Sequence, residues 1–224
     1  MRRIVIVVAA LLLTISLLSA EEVLGRVKKG MELYNAAAKD GEKTDTALAY
    51  YEKLEKEFPD DSFVKAYLGS VYTLKARDVS SPFSKMKWVR KANRSFDTAV
   101  EKMPDNIFLR IERGQNSLYL PSFLGRFKVA EEDFTFLVSR MEKMSDAEIC
   151  EARGSLLLKR PDDTEQTFAL RIRQFCYYYA GHVALERKEK KKAEKFWEKA
   201  VKLGPETKNA QAARERIEKL HEGK

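Results

Sequence analysis

The sequence predicts an all-α protein, an α-solenoid of about ten helices arranged as antiparallel pairs. Three observations predict it. A spacing of small, aromatic and helix-breaking residues recurs along the chain, glycines stand upstream of it at related distances, and no stretch alternates apolar and polar residues as a strand does. The 224 residues include only ten Gly and six Pro, few for a β-sandwich. With 44% hydrophobic and 34% charged residues the chain has apolar surface enough for a core and is not disordered by composition.

Residues 1–20 read as a targeting segment. Arg2 and Arg3 form a short positive stretch, Ile4 to Leu18 is a charge-free apolar run, and Ser19-Ala20 gives way to Glu21-Glu22. At 1.5 Å per residue the run reaches roughly 22 Å, short of a ~30 Å hydrocarbon core. A cleaved secretory signal peptide is therefore expected, followed by one helical domain over 21–224, with the protein exported to the periplasm or another extracytoplasmic space. Leu18 stands where a small residue is preferred before a cut, so an uncleaved membrane anchor remains the alternative. No Cys lies near residue 20 to carry a lipid. The formal net charge is +8, two units of it from Arg2 and Arg3, and the rest is spread among residues of both signs. That favours solubility and does not make the single-sign field of a nucleic-acid binder.

Past the targeting segment a register repeats. It runs Ala47, Tyr51, Leu54, Pro59, then Ala92, Phe96, Ala99, Pro104, then Ala193, Trp197, Ala200, Pro205. Ala130, Phe134, Leu137 keep it, with Glu142 in place of the Pro. Steps of four and three stack these side chains on one helical face. The Ala admits a neighbouring helix, the aromatic fills the space above it, and the Pro ends the helix and suits the start of the next. Upstream, Leu68-Gly69 with Tyr72 precedes the Ala92 helix, and Tyr177 with Ala180-Gly181 precedes the Ala193 helix. A glycine at a helix crossing lets two backbones approach where a Cβ would collide. Gly181 lies twelve residues before Ala193, the interval of a tight pair. Gly69 to Ala92 is longer by an inserted loop around Asp78 to Ser84, and Gly114 to Ala130 by one at Leu120 to Arg126.

In order, helices are expected over 22–38, 45–57, 62–77, 85–102, 106–119, 127–143, 146–158, 165–187, 189–203 and 207–221. Asp61-Ser62 and Ser145-Asp146 have the chemistry of N-caps.

At these residues the chain resembles the tetratricopeptide repeat family, whose helix pairs run aromatic, Leu-Gly, Tyr, Ala, aromatic, Ala, Pro. The unit from Gln174 to Thr207 matches nearly throughout and departs at Ala184, where Tyr is usual. Leu68 to Pro104 matches with an insertion, and the Ala47 and Ala130 units match in their second helices. The resemblance implies a right-handed superhelical α-solenoid that binds a partner. A weaker likeness, carried by Pro121-Ser-Phe-Leu-Gly125 entering a helix, is to the repeat-containing periplasmic partner of TRAP-type transporters.

Two cysteines, Cys150 and Cys176, flank the turn Arg160 to Asp163, which lies about midway between them. If the helices on either side pack antiparallel, a disulfide is open to them, worth roughly 3–3.5 kcal/mol in the chain-entropy model. Two independent buried thiols are the other reading.

No catalytic constellation is legible. The only histidines are His182 and His221, no nucleophile or phosphate-binding motif occurs, and Cys and His do not cluster as metal ligands. Glu131-Glu132-Asp133 and Arg187 to Lys192 read as solvated surface. The expectation is a non-enzymatic scaffold without cofactor or metal. Placing each first helix by its glycine gives groove positions Phe63, Ala66, Ser70, then Phe108, Ile111, Gln115, then Phe175, Tyr178, His182. The Lys and Asn that the tetratricopeptide family uses to clamp acidic peptide C-termini are missing there. What remains is apolar and aromatic, suited to a protein or peptide partner or a small apolar ligand, with Phe123 a further contact in its loop. The alternative for these side chains is packing between helix pairs. Nucleic acid is not expected as a partner, and membrane association is expected only through the N-terminal segment.

Overall fold

The computed structural model describes residues 2–204 and 207–222, without the side chains of residues 2–20. The apolar run Ile4 to Leu18 thus lies outside the described side chains, and Pro205 outside the described residues. The chain is all-helical, with no strand among the described residues. Its helices are α1 (Arg2–Lys39), α2 (Thr44–Glu57), α3 (Ser62–Asp78), α4 (Pro82–Lys102), α5 (Ile107–Leu118), α6 (Phe127–Met141), α7 (Asp146–Glu151), α8 (Ser155–Leu158), α9 (Glu165–Glu186), α10 (Lys190–Lys202) and α11 (Lys208–Glu222). Two short 3₁₀ turns, Gly41–Lys43 and Ser122–Leu124, join α1 to α2 and α5 to α6. Among the described residues no helix is long and apolar enough to cross a membrane. The chain divides into two compact units, Met1–Ala99 and Val100–Lys224.

The repeated register forms the cores. Ala47, Tyr51, Leu54, Ala92, Phe96, Ala99, Ala130, Phe134, Leu137, Ala193, Trp197 and Ala200 are all 0–1% exposed. Each aromatic of the register lies on a glycine of the preceding helix. A Cβ added at Gly30 would stand 2.6 Å from the Tyr51 ring, at Gly69 3.2 Å from Phe96, at Gly114 3.1 Å from Phe134 and at Gly181 2.2 Å from Trp197. Gly30 extends the pattern to a first helix in which the sequence showed no partner signal.

In the first unit, the Tyr50 and Tyr51 hydroxyls donate to the carbonyls of Arg26 and Val27 at 2.9 and 3.0 Å, fixing α2 on α1. Tyr51 stacks on Tyr67 of α3, with centroids 6.3 Å apart. Arg77, near the end of α3, donates to the carbonyls of Ala37 and Ala38 at 2.9 Å. It thereby satisfies acceptors that the end of α1 leaves open. Asp61 accepts from the backbone N–H groups of Phe63 and Val64, the expected cap of α3.

In the second unit, Asn106 caps α5 in the same way. Asp133 of α6 is fully buried and takes two bonds from Arg113 of α5, at 2.7 and 2.8 Å, and one from Arg110 at 2.8 Å. Burial raises its pKa, while the two guanidiniums favour the charged form. This corrects the reading of Glu131-Glu132-Asp133 as solvated surface: the third carboxylate is inside because two arginines meet it there. The Trp197 indole N–H donates to the Tyr178 carbonyl at 3.0 Å, joining α10 to α9. Ser145 and Glu148 form a reciprocal capping box at the start of α7.

Several expected elements differ. The prolines 59 and 104 sit in turns before α3 and α5, and Asp61 and Asn106 supply the helix starts. Pro82 instead opens α4, three residues earlier than expected, where its missing N–H costs nothing. The helix expected over 146–158 breaks into α7 and α8. Gly154 takes a left-handed φ of 101°, and the Asn106 side chain donates to the Arg153 carbonyl at 2.8 Å, so the break is held from α5. The helix expected over 22–38 is part of the longer α1.

That break separates the cysteines, both of which are free thiols. Cys150 lies against the first turn of α9, its thiol 3.5 Å from the Glu165 carbonyl. Cys176 is buried eleven residues further along that helix, about 16 Å by the helical rise. A bridge needs Cα atoms within about 7 Å.

Two outcomes follow for stability. Gly181→Val forces the hydrogen-bonded Trp197 ring to move and lowers stability by about 1–3 kcal/mol, whereas Gly25→Ala, where a Cβ meets open space, raises it by about 0.5–1 kcal/mol; urea titration of both variants checks the contrast. Arg113→Met leaves Asp133 with one guanidinium and costs about 3 kcal/mol, and adding Asp133→Leu recovers part of that loss in the same titration.

Candidate functional site

The main concavity of interest in the second unit is a cleft of about 580 Å³, in the range of ligand-holding clefts. Three helices supply it. Spacing of four residues puts Ile111 and Gln115 of α5 on one face, and Arg171 and Phe175 of α9 on another. Thr207 and the first residues of α11, Lys208 and Asn209, add to the cleft, with Leu158 from the end of the short α8 and Arg160 from the turn that follows. Ile111, Ile172 and Phe175 make an apolar floor. Arg160, Arg171 and Lys208 place positive charge around it, with Glu112 the one carboxylate among the described lining residues.

The walls are fixed by buried polar contacts. Gln174 donates to the carbonyls of Ala200 and Gly204 at 3.1 and 2.8 Å, satisfying the end of α10. Its own oxygen accepts the Thr207 hydroxyl at 2.7 Å, and Thr207 in turn accepts the Ala210 N–H at the start of α11. One side chain of α9 thus sets where α10 stops and α11 starts. Arg171 donates to the Leu158 carbonyl at 3.0 Å and pairs with Asp163. Burial opposes the charge on Asp163, but the Arg160 backbone N–H and the Arg171 guanidinium outweigh it and lower the pKa. Below the cleft, Phe108 packs against Phe168 with centroids 6.2 Å apart.

Beside the cleft lies an aromatic cluster centred on Tyr179. Its ring meets Phe175 at 4.4 Å, Tyr178 at 5.2 Å and Phe134 at 5.6 Å, and its hydroxyl accepts from the Gln115 amide at 2.9 Å. Burial, with Tyr119 adding to it, raises the Tyr179 pKa. His182 stands edge-on to Tyr178 at 4.6 Å and to Trp197 at 5.7 Å. Its buried Nε2 has no partner among the described residues. Burial, and after it the charge of Arg216, lower its pKa to about 4. His221 is engaged elsewhere, with Glu194.

The predicted groove positions therefore separate. Ile111, Gln115 and Phe175 come together in the cleft. Phe63, Ala66 and Ser70 are buried in the first unit, and the Ser70 hydroxyl bonds back to the Ala66 carbonyl. Phe108 is buried beneath the cleft floor. These four are buried in the cores of their own units. Tyr178 and His182 belong to the aromatic cluster and do not line the cleft. Phe123 is 77% exposed on its 3₁₀ turn, away from the cleft lining. The cationic rim was missed, since Arg160, Arg171 and Lys208 lie far apart in sequence. Its only local signal was the run of turn residues around Pro161. Among the described residues no group of three or more His, Cys, Asp or Glu side chains is arranged to hold a metal ion.

No protein-family model and no curated protein matches the chain.

The lowered His182 pKa makes stability depend on pH. The unfolded chain binds a proton near pH 6.5 and the folded one near 4, so the folded state loses stability as pH falls between those values. In thermal melts from pH 7 to 4, His182→Phe is expected to lose less melting temperature than the native protein; an unchanged slope counts against a neutral buried ring.

Proposed function

We propose that the chain is a non-enzymatic, extracytoplasmic binding scaffold whose tetratricopeptide-like helix pairs stack as a solenoid, and that the cleft of the second unit receives a protein or peptide partner. The observation that carries this reading is the lining of the cleft. In a stacked-pair arrangement the first helices line the concave side. The pairs closed by a glycine–aromatic contact make α5 and α9 first helices, and both supply the cleft floor.

The chemistry of the cleft narrows the partner. An apolar floor ringed by Arg160, Arg171 and Lys208 suits an extended segment that inserts an apolar side chain and carries a carboxylate beside it. The N-terminal end of α11, capped by Thr207, adds to the positive potential at the same rim. A second reading, a ligand-handling accessory of a membrane transporter holding a small apolar acid, is favoured by the volume of about 580 Å³, which a drug-sized molecule would fill. The residues Ile4 to Leu18, as a signal peptide or an anchor, fit either reading.

Charge reversal at the rim tests the proposal, because Arg160 and Lys208 are exposed and outside the core. Arg160→Glu with Lys208→Glu is expected to weaken partner capture at least tenfold, about 1.4 kcal/mol, at an unchanged melting temperature. A photo-crosslinker at Gln115 should label the partner in the native protein and lose that label in the double variant. Native mass spectrometry separates the two readings: a bound mass of small-molecule size without a crosslinked polypeptide assigns the cleft to a ligand, and capture that ignores the charge reversal removes the cleft from the function.

A further inference from the structure

The outer face of α4, in the first unit, has a character that no packing role explains. Between Asp78 and Asp97 the chain has no acidic residue and five cations, Lys85, Lys87, Arg90, Lys91 and Arg94. Helical spacing aligns Phe83, Met86, Lys87, Arg90 and Arg94 in one stripe, opposite the buried Ala92, Phe96 and Ala99. Phe83, at the head of the stripe, is 90% exposed, the most exposed large apolar side chain among the described residues.

Lys91 is used within the fold, lying over the rings of Trp88 and Tyr72 at 4.6 and 5.0 Å. Lys85, Lys87, Arg90 and Arg94 have no ion-pair partner among the described residues. On α10, by contrast, three of the six lysines are paired, Lys192, Lys199 and Lys202 with Glu189, Glu142 and Glu198. Like charges on one helix face repel, so an external anion is the partner that this stripe lacks. Its length, Phe83 to Arg94, is about 16 Å by the helical rise.

An exposed aromatic leading a cationic stripe is the chemistry of a helix lying in a lipid–water interface. The ring enters the acyl boundary while the cations stay at the phosphates. A nucleic-acid duplex or an acidic peptide would engage the cations and leave Phe83 without a role, and a single strand, which would stack on one isolated ring, would give the apolar run of the sequence no part. The same unit carries the apolar run Ile4 to Leu18 behind Arg2 and Arg3, a membrane-seeking sequence. A polybasic face and a single apolar segment in one chain are the two signals that together turn weak membrane contact into a stable one.

We propose that the N-terminal half of α4 is a docking surface for an anionic phospholipid bilayer, with Phe83 inserted and Lys87, Arg90 and Arg94 on the headgroup phosphates. The full chain is mixed with vesicles of phosphatidylcholine alone, or of phosphatidylcholine and phosphatidylglycerol at roughly 3:1, at low and high salt. Phe83→Trp places a reporter at the insertion point. Brominated acyl chains should quench its added emission over that of Trp88 and Trp197 in the anionic vesicles. Lys87→Glu with Arg90→Glu and Arg94→Glu should lower affinity for those vesicles at least tenfold, with the far-ultraviolet circular dichroism and melting temperature of the native chain. Equal binding to neutral and anionic vesicles that the reversal leaves unchanged would assign the contact to Ile4–Leu18 alone and overturn the proposal. So would an unquenched Phe83→Trp on anionic vesicles, or a single-stranded oligonucleotide that binds the stripe more tightly than the vesicles do.

Discussion

An aromatic ring resting on a glycine backbone closes four of the helix pairs. Tyr51 lies on Gly30, Phe96 on Gly69, Phe134 on Gly114 and Trp197 on Gly181. The geometry admits little else. At Gly30 and Gly181 the nearest ring atom is closer than a methyl group can approach, and at Gly69 and Gly114 it is tighter than ordinary contact, so the rotation and height at which each aromatic fits are narrowly set. The register alanines and leucines then fall on the same buried side. Which faces remain for binding is decided at that point. The cleft of the second unit is what the α5 and α9 faces leave open after their glycines are used, and the outer stripe of α4 is the face opposite its own buried register.

Polar side chains finish what these contacts begin, mainly at helix ends. Arg77 reaches the last carbonyls of α1, Gln174 those of α10, and Arg173 of α9 the carbonyls of Met141 and Met144 after α6. Each long side chain comes from a neighbouring helix, so the caps also act as tertiary restraints. Such bonds contribute modestly when made, yet a buried carbonyl deprived of its donor costs roughly 1–3 kcal/mol. The Arg113–Asp133 contact obeys the same asymmetry with larger stakes, since both charges have left water.

The helical class and the registers of the second helices were legible in the sequence because they rest on local spacing. Ala47, Tyr51 and Leu54 read as a face and are one. Gly30 escaped notice because the residues around it lack the Leu-Gly and Tyr companions of Gly69. The break at Gly154 was not legible either. A glycine inside a helical pattern is often tolerated, and what fixes the left-handed turn is Asn106, nearly fifty residues away. Asp133 looked like surface because its neighbours are acidic, and the arginines that draw it inside lie one helix earlier. Of the candidate site, the apolar positions Ile111 and Phe175 followed from periodicity. The rim did not, because Arg160, Arg171 and Lys208 meet only after α8, α9 and α11 have been placed.

The described anchors of α1 have an asymmetric distribution. Arg26 and Val27 accept the tyrosine hydroxyls, Gly30 takes the Tyr51 ring, and Ala37 with Ala38 receives Arg77. Every one follows residue 20. Proteolytic trimming at that boundary would therefore spare each of these fastenings.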